Sequence, residues 1–420
     1  MLEERWRSVV ARHPDELAVH DVASGTSWSF SQLAAAADAL PEPSGPVAFP
    51  TGNTPHFLLT VLRAWRTGLP LCPLETGQGP PELAPLPSWV AHLKFTSGST
   101  GRARLVALTE AQITADAAQI VATMGLDPSG PNLGVISLAH SYGYSNLVTP
   151  LLLHGIPLIL GESALPVAVA TAAAPWRHLT LPAVPALWHH WHEADAIPPR
   201  LRLAVSAGAA LPIALEAEVL ERRGLKIHNF LGASECGGIA FDRTSTLRPD
   251  AACVGTPMEG VAIASDDAGC LVVQSPAVAE GYWPEAESNL GNGRYRSSDL
   301  VSIEDGGLLW IRGRAGDVIN VAGRKVSPDT IEQALLHHPA VRDCLAFGIP
   351  DDARRGETVG MAYALREPVT ESDLRRFLAQ RLPAWQVPRQ WWWRDDLGVD
   401  VRGKRSRTEW RRRVLGQTDR

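Results

Sequence analysis

KFTSGSTGRARLV, residues 94–106, concentrates glycine and hydroxyl side chains in a span with little bulk. Every position from Thr96 to Gly101 is Thr, Ser or Gly, so backbone N–H groups and hydroxyls can close around a polyphosphate. It is not the GxxxxGK[ST] loop of common nucleotide hydrolases, because no Lys-Ser or Lys-Thr pair follows Gly101. Runs of this composition also form ordinary surface loops, and the flanks decide between the two readings. WVAHLKF ahead of it is apolar enough for a buried strand, and LTEAQITADAAQIVATMG behind it has helical spacing. Strand, glycine-rich loop and helix in that order predict a phosphate-binding context.

A chain of 420 residues exceeds one ordinary core, so two or more domains are expected. With 45% hydrophobic and 20% charged residues it reads as globular. The net charge of −6 argues against a general nucleic-acid binder, although the last segment is locally basic. MLEERWRSVVARHPDEL has acids and no apolar h-region, so no signal peptide is expected. The apolar run around Leu147–Leu160 is too short and broken for a membrane span, and the expected location is cytoplasmic. The five cysteines form no CxxC pair and have no His at zinc spacing. Ser31 stands ahead of an apolar-periodic run as a helix cap, and FLLTVLRAWRTG reads as a helix ending at Gly68 before a short buried strand. Strand and helix alternate through 176–242, which implies a mainly parallel sheet covered on both faces, with ligands at its small-residue turns.

The 96–101 run resembles the TSG[ST]TGxPKG signature of the adenylate-forming superfamily, which includes acyl-CoA synthetases, aryl-CoA ligases, nonribosomal-peptide adenylation domains and luciferases. Thr96, Ser97, Gly98, Ser99, Thr100 and Gly101 match; Ala103, Arg104 and Leu105 replace Pro, Lys and Gly. Arg104 keeps a cation for the phosphates as a fork of donors. The resemblance implies an α/β fold: a large N-terminal domain of parallel-rich sheets plus a small antiparallel region over 1–314, then a small mobile α+β domain over 317–420. Gly316 takes the hinge position, where glycine absorbs a large φ/ψ change cheaply. The proline-rich 76–88 stretch replaces elements usual in the family, so the chain is a compact version.

Further stretches extend the resemblance. In HSYG, His140 and Gly143 fill a PlfHxxG pattern whose His lies by the substrate carboxylate. No Asp follows between His140 and Pro150, which tilts the substrate away from α-amino acids. Gly208 and Ala209 resemble an adenine-contacting turn. LGASE at 231–235 resembles YGxTE, implying Ser234 at the α-phosphate and Glu235 on Mg2+, with Leu231 replacing the adenine-stacking Tyr beside Phe230. YRSSDL resembles YRTGD, which gives Asp299 to the ribose hydroxyls, and Arg314 matches an Arg that contacts ribose or phosphate. The 338–365 stretch resembles the body of the family's small domain, with βαβ-like alternation ahead of a helix over 372–382. GKRSR matches NGKxxR with Arg402 in place of Asn, so Lys404 is the catalytic candidate. His189, His190 and His192 lack an acid or Cys at metal-ligand spacing and read as a solvated helix end.

These residues imply ATP- and Mg2+-dependent activation of an aryl or acyl carboxylic acid as an adenylate, followed by transfer to a thiol. CoA is the expected acceptor. A phosphopantetheinyl acyl or peptidyl carrier protein is the alternative, and an inactive binding homologue is a third reading. The basic tail, with Arg405, Arg407, Arg411, Arg412 and Arg413, is expected to meet CoA phosphates or an acidic carrier face. His140, Tyr142, Ala207, Gly237 and Gly238 are expected to line the acid pocket, small residues leaving room for a ring or chain. No nucleic acid, membrane or cysteine nucleophile is implied, Cys236 included.

Overall fold

A computed structural model describes residues 1–43, 45–97, 103–351, 356–395, 397–398 and 407–416. The chain divides into two compact units. The first comprises 1–264, 272–297 and 303–309; the second comprises 265–271, 298–302 and 310–420.

In the first unit one sheet runs in the spatial order Cys253–Pro257, Gly237–Phe241, Ile227–Ala233, Leu201–Ser206, Leu179–Ala183, Asn132–Gly134, Leu158–Leu160, Leu17–Asp21, Thr26–Ser29. From Ile227–Ala233 to Leu17–Asp21 every neighbouring pair is parallel, and the outer strands are antiparallel. This is the parallel-rich sheet that the 176–242 alternation predicts. Burial of both its faces explains the continuous apolar runs. One face packs on Trp188 and Trp191, edge to face at 5.2 Å, together with Leu133, Ile159 and Leu181.

A second, three-stranded sheet orders Gly281–Trp283, Ala103–Leu108 and His92–Ser97, all antiparallel. Here the expected strand–loop–helix order fails, because the loop joins two strands of a hairpin. ARLVAL at 103–108 is apolar enough to pair on both sides, and the helix Glu110–Met124 starts only after a Thr109–Gln112 capping box. The cap expected at Ser31 is Ser29, whose side chain and Gln32 form another capping box. The helix Pro55–Thr67 ends at Gly68 in the left-handed conformation as expected. The strand after it is reduced to isolated bridges of Leu71 to Ala48 and His92, and of Leu74 to Thr51.

The second unit contains a hairpin, Ile319–Val321 with Arg324–Val326, and a sheet ordered Val341–Asp351, Gly356–Leu365, Gln390–Trp393. The first pair of that sheet is antiparallel. The parallel crossover comes later, through the helix Glu371–Ala379, which is shorter than the expected 372–382 helix and is capped by Thr370. Pro328–Leu336 and Glu371–Ala379 enclose a core of Ile331, Leu335, Met361, Leu374 and Leu378. All five cysteines are buried and none is in a disulfide. No helix among the described residues is long and apolar enough to cross a membrane.

Candidate active site

The hairpin sets the ends of the glycine-hydroxyl loop. Thr96 stands opposite Arg104 and Ser97 opposite Ala103, while Gly98, Ser99, Thr100 and Gly101 lie outside the described residues. Arg104 places Nη1 2.5 Å from Glu287 Oε1, and its guanidinium lies 5.5 Å from the centre of the Tyr282 ring. Arg104 thus has an acid partner, Glu287, that no sequence motif marks.

LGASE occupies the end of the Ile227–Ala233 strand and the turn into Gly237–Phe241. Ser234 Oγ lies 2.7 Å from Ser141 Oγ, which joins this turn to the HSYG segment. Tyr282 Oη donates to Glu235 Oε1 at 3.1 Å, and Ala279 N donates to the Glu235 carbonyl at 2.8 Å. Leu231 is half-buried, whereas Phe230 is buried with its ring 5.9 Å from that of Tyr142. Gly208, with φ +89°, and Ala209 lie exposed in the turn after the Leu201–Ser206 strand.

His140 caps the short helix Ser141–Gly143, which passes directly into the π-helix Tyr144–Val148. A wide helical turn of this kind recurs at functional sites. The His140 side chain is exposed, and its Nδ1 accepts from Tyr142 N at 3.5 Å. Gly143 is required here by close approach, since a Cβ would stand 1.9 Å from the Ser137 carbonyl oxygen. Tyr142 Oη donates toward the Val205 and Ala183 carbonyls at 3.3 and 3.4 Å.

The glycines expected to leave room do not. A Cβ on Gly237 would stand 2.1 Å from Asp116 Oδ1, and one on Gly238 would stand 2.2 Å from Met258 Sδ. Both positions serve close packing. Asp116, 3% exposed, accepts from Gly238 N at 3.1 Å and from Ser145 Oγ at 2.6 Å. Lys94 Nζ reaches Ser145 Oγ at 3.5 Å. This buried chain ties the strand before the loop, the π-helix and the LGASE turn together. No motif marks Asp116, because its partners stand 29 and 122 positions away.

In the second unit Arg314 Nε lies 3.1 Å from Asp299 Oδ1, so the two expected ribose contacts are neighbours. Gly316 has nothing within 4 Å of where a Cβ would stand. Lys404, Arg402 and Arg405 lie outside the described residues. Arg407 is not a surface cation: it reaches Asp317 at 2.7 Å, Asp329, and both oxygens of Glu332 at 3.0 Å. Three carboxylates satisfy its fork, which takes it out of any acceptor-binding patch. Arg411 pairs with Glu357 at 3.0 Å.

Among the described residues no three His, Cys, Asp or Glu converge as a metal cage. His189 and His190 are exposed, with His189 paired to Glu193, but His192 is buried against Glu218, so the expected solvated helix end holds for only part of the run. Glu235 and the Ser234 hydroxyl offer hard oxygen donors in one turn, which fits Mg2+ bound chiefly through substrate phosphates.

A large parallel-rich α/β unit and a small α+β unit in one chain are the two-domain fold of adenylate-forming enzymes. The chain belongs among them to the AMP-binding enzyme family: the family's AMP-binding enzyme region matches residues 80–283 and its C-terminal domain 330–404. A feruloyl-CoA synthase of Amycolatopsis sp is 29% identical over 358 residues, 80% of this chain and 72% of that protein. A probable 2-succinylbenzoate–CoA ligase of Mycobacterium tuberculosis (strain CDC 1551 / Oshkosh) is 30% identical over 353 residues, 79% of this chain and 86% of that one. The crystal structure of ATP-bound MatB from Rhodopseudomonas palustris superposes with a TM-score of 0.86, covering 99% of both chains at 18% identity, a likeness of fold.

Proposed function

We propose that this enzyme uses ATP to activate an aryl or acyl carboxylic acid lacking an α-amine as an acyl-adenylate, and passes the acyl group to the thiol of CoA. The observation that carries the reading is the single turn joining Ser234 and Glu235 to the HSYG segment at 2.7 Å and, through Tyr282, to Arg104 beside the loop. The CoA-ligase names of the relatives support the choice of acceptor.

Activation brings two anions together, the acid and the α-phosphate, so the task is positioning and charge stabilisation. Residues 96–101 and Arg104 hold the β- and γ-phosphates. Ser234 donates to the α-phosphate. A divalent cation held by Glu235 would neutralise developing charge on the phosphate oxygens. The Gly208–Ala209 turn and Leu231 bound the adenine, while Asp299 accepts from the ribose hydroxyls beside Arg314. His140 orients the substrate carboxylate, and Lys404 neutralises the pentavalent phosphorus. The carboxylate oxygen forms a bond to phosphorus as the bond to pyrophosphate breaks. The thiolate then forms the thioester and AMP leaves. Residues 317–420 turning about Gly316 would withdraw Lys404 between the two steps.

The test is a hydroxylamine-trapped adenylation assay over aryl, short, medium and long carboxylic acids and amino acids, followed by CoA. A strong response to an aryl or acyl acid with an acyl-CoA product is expected. A best response to an amino acid, or an adenylate that CoA does not consume, overturns the reading, the latter in favour of a carrier protein.

A further inference from the structure

Tyr282 has no part in the chemistry above, yet it stands where two parts of the site meet. It occupies the three-residue strand Gly281–Trp283, opposite Val106 on the strand that follows the glycine-hydroxyl loop. Its ring is 8% exposed and lies 5.5 Å from the Arg104 guanidinium, within cation–π range. Its hydroxyl donates to Glu235 Oε1 at 3.1 Å. The same segment holds Glu235 a second time, through Ala279 N to the Glu235 carbonyl at 2.8 Å. It is tied back to the hairpin by Glu280 N to the Ala107 carbonyl at 3.1 Å, and to the following helix by Gln112 Nε2 to Glu280 Oε2 at 3.1 Å.

A carboxylate that holds a cation bound chiefly through substrate phosphates needs its plane fixed, and groups outside the coordination shell do this. We propose that Tyr282 is a positioning residue that fixes the Glu235 carboxylate for a divalent cation by anchoring Oε1. The inference rests on the reading of Glu235 as the cation's ligand. A phenylalanine would fill the same volume, so packing alone does not account for the hydroxyl.

The test compares Mn2+ binding, followed by electron paramagnetic resonance, in the full-length protein saturated with α,β-methylene ATP. Y282F is expected to weaken Mn2+ about tenfold or more, with metal-free nucleotide affinity and thermal midpoint unchanged. E235Q should weaken it further, and the Y282F/E235Q pair should bind Mn2+ no more weakly than E235Q alone. E235D keeps the charge but is too short to meet the phenol, and its loss should resemble that of Y282F, which tests the idea even if Y282F folds poorly. Wild-type Mn2+ affinity in Y282F with a clear loss in E235Q would overturn the role of Tyr282 and leave that of Glu235 standing. Wild-type affinity in both would overturn the two together.

Discussion

One methyl group added at Gly237 would stand 2.1 Å from a buried carboxylate oxygen, on a backbone with φ +69°. Two costs coincide, strain in the left-handed region and overpacking against Asp116, whose oxygens already serve Gly238 and Ser145. Gly237→Ala is therefore expected to lower unfolding free energy by about 2–4 kcal/mol, read from urea titrations. A loss below about 1 kcal/mol would mean that Asp116 swings aside at little cost. Sequence made these glycines look like open space because their neighbours come from remote segments. By contrast, Gly143 was legible as part of a motif, though the reason for it, the Ser137 carbonyl, was not. Arg104 was legible as a cation at the loop, while Tyr282 beside it belongs to a strand whose pairing no local pattern announces, and Glu287 to the irregular segment that follows that strand.

At the scale of elements, the last described helix, Arg407–Val414, is pinned to Pro328–Leu336 by Arg407. Burial pushes the Glu332 carboxyl up to about 7 against the pull of Arg407. A carboxyl raised in the folded state contributes stability that is complete below its ordinary value of 4.5 and is lost as pH rises through about 7. The denaturation midpoint of the second unit should thus fall between pH 5 and pH 8, and Glu332→Gln should flatten that fall. Equal slopes in the two proteins would show that Glu332 does not titrate there. Arg407→Met should destabilise this unit by about 3–5 kcal/mol at pH 8, since it leaves buried acid uncompensated. Periodicity gave the parallel sheet and the helix Pro55–Thr67 correctly. It missed the strand Ala103–Leu108, because that apolar run follows directly on the glycine-hydroxyl loop and groups with it, while one of its two sheet partners comes from residues 281–283.

For the molecule as a whole, charge is divided unevenly along the chain. Residues 310–420 carry 21 Lys and Arg against 15 Asp and Glu, while residues 1–309 carry 18 against 30. If CoA is the acceptor, its phosphates favour the basic region, and its KM should rise about three- to tenfold between 50 and 300 mM salt. Uncharged pantetheine should show no such rise; the same salt response for both would assign the effect elsewhere. Lys404→Ala should abolish pyrophosphate exchange while leaving the use of preformed adenylate largely intact, and equal loss of both half-reactions would refute its assigned role. The five buried thiols bear on how such reactions can be followed. Burial pushes Cys72 up to about 12, and thiols out of solvent react slowly with disulfide reagents. A chromogenic thiol reagent added to the working enzyme would therefore titrate the acceptor and not the catalyst, and late-appearing colour from the protein itself would count unfolded molecules.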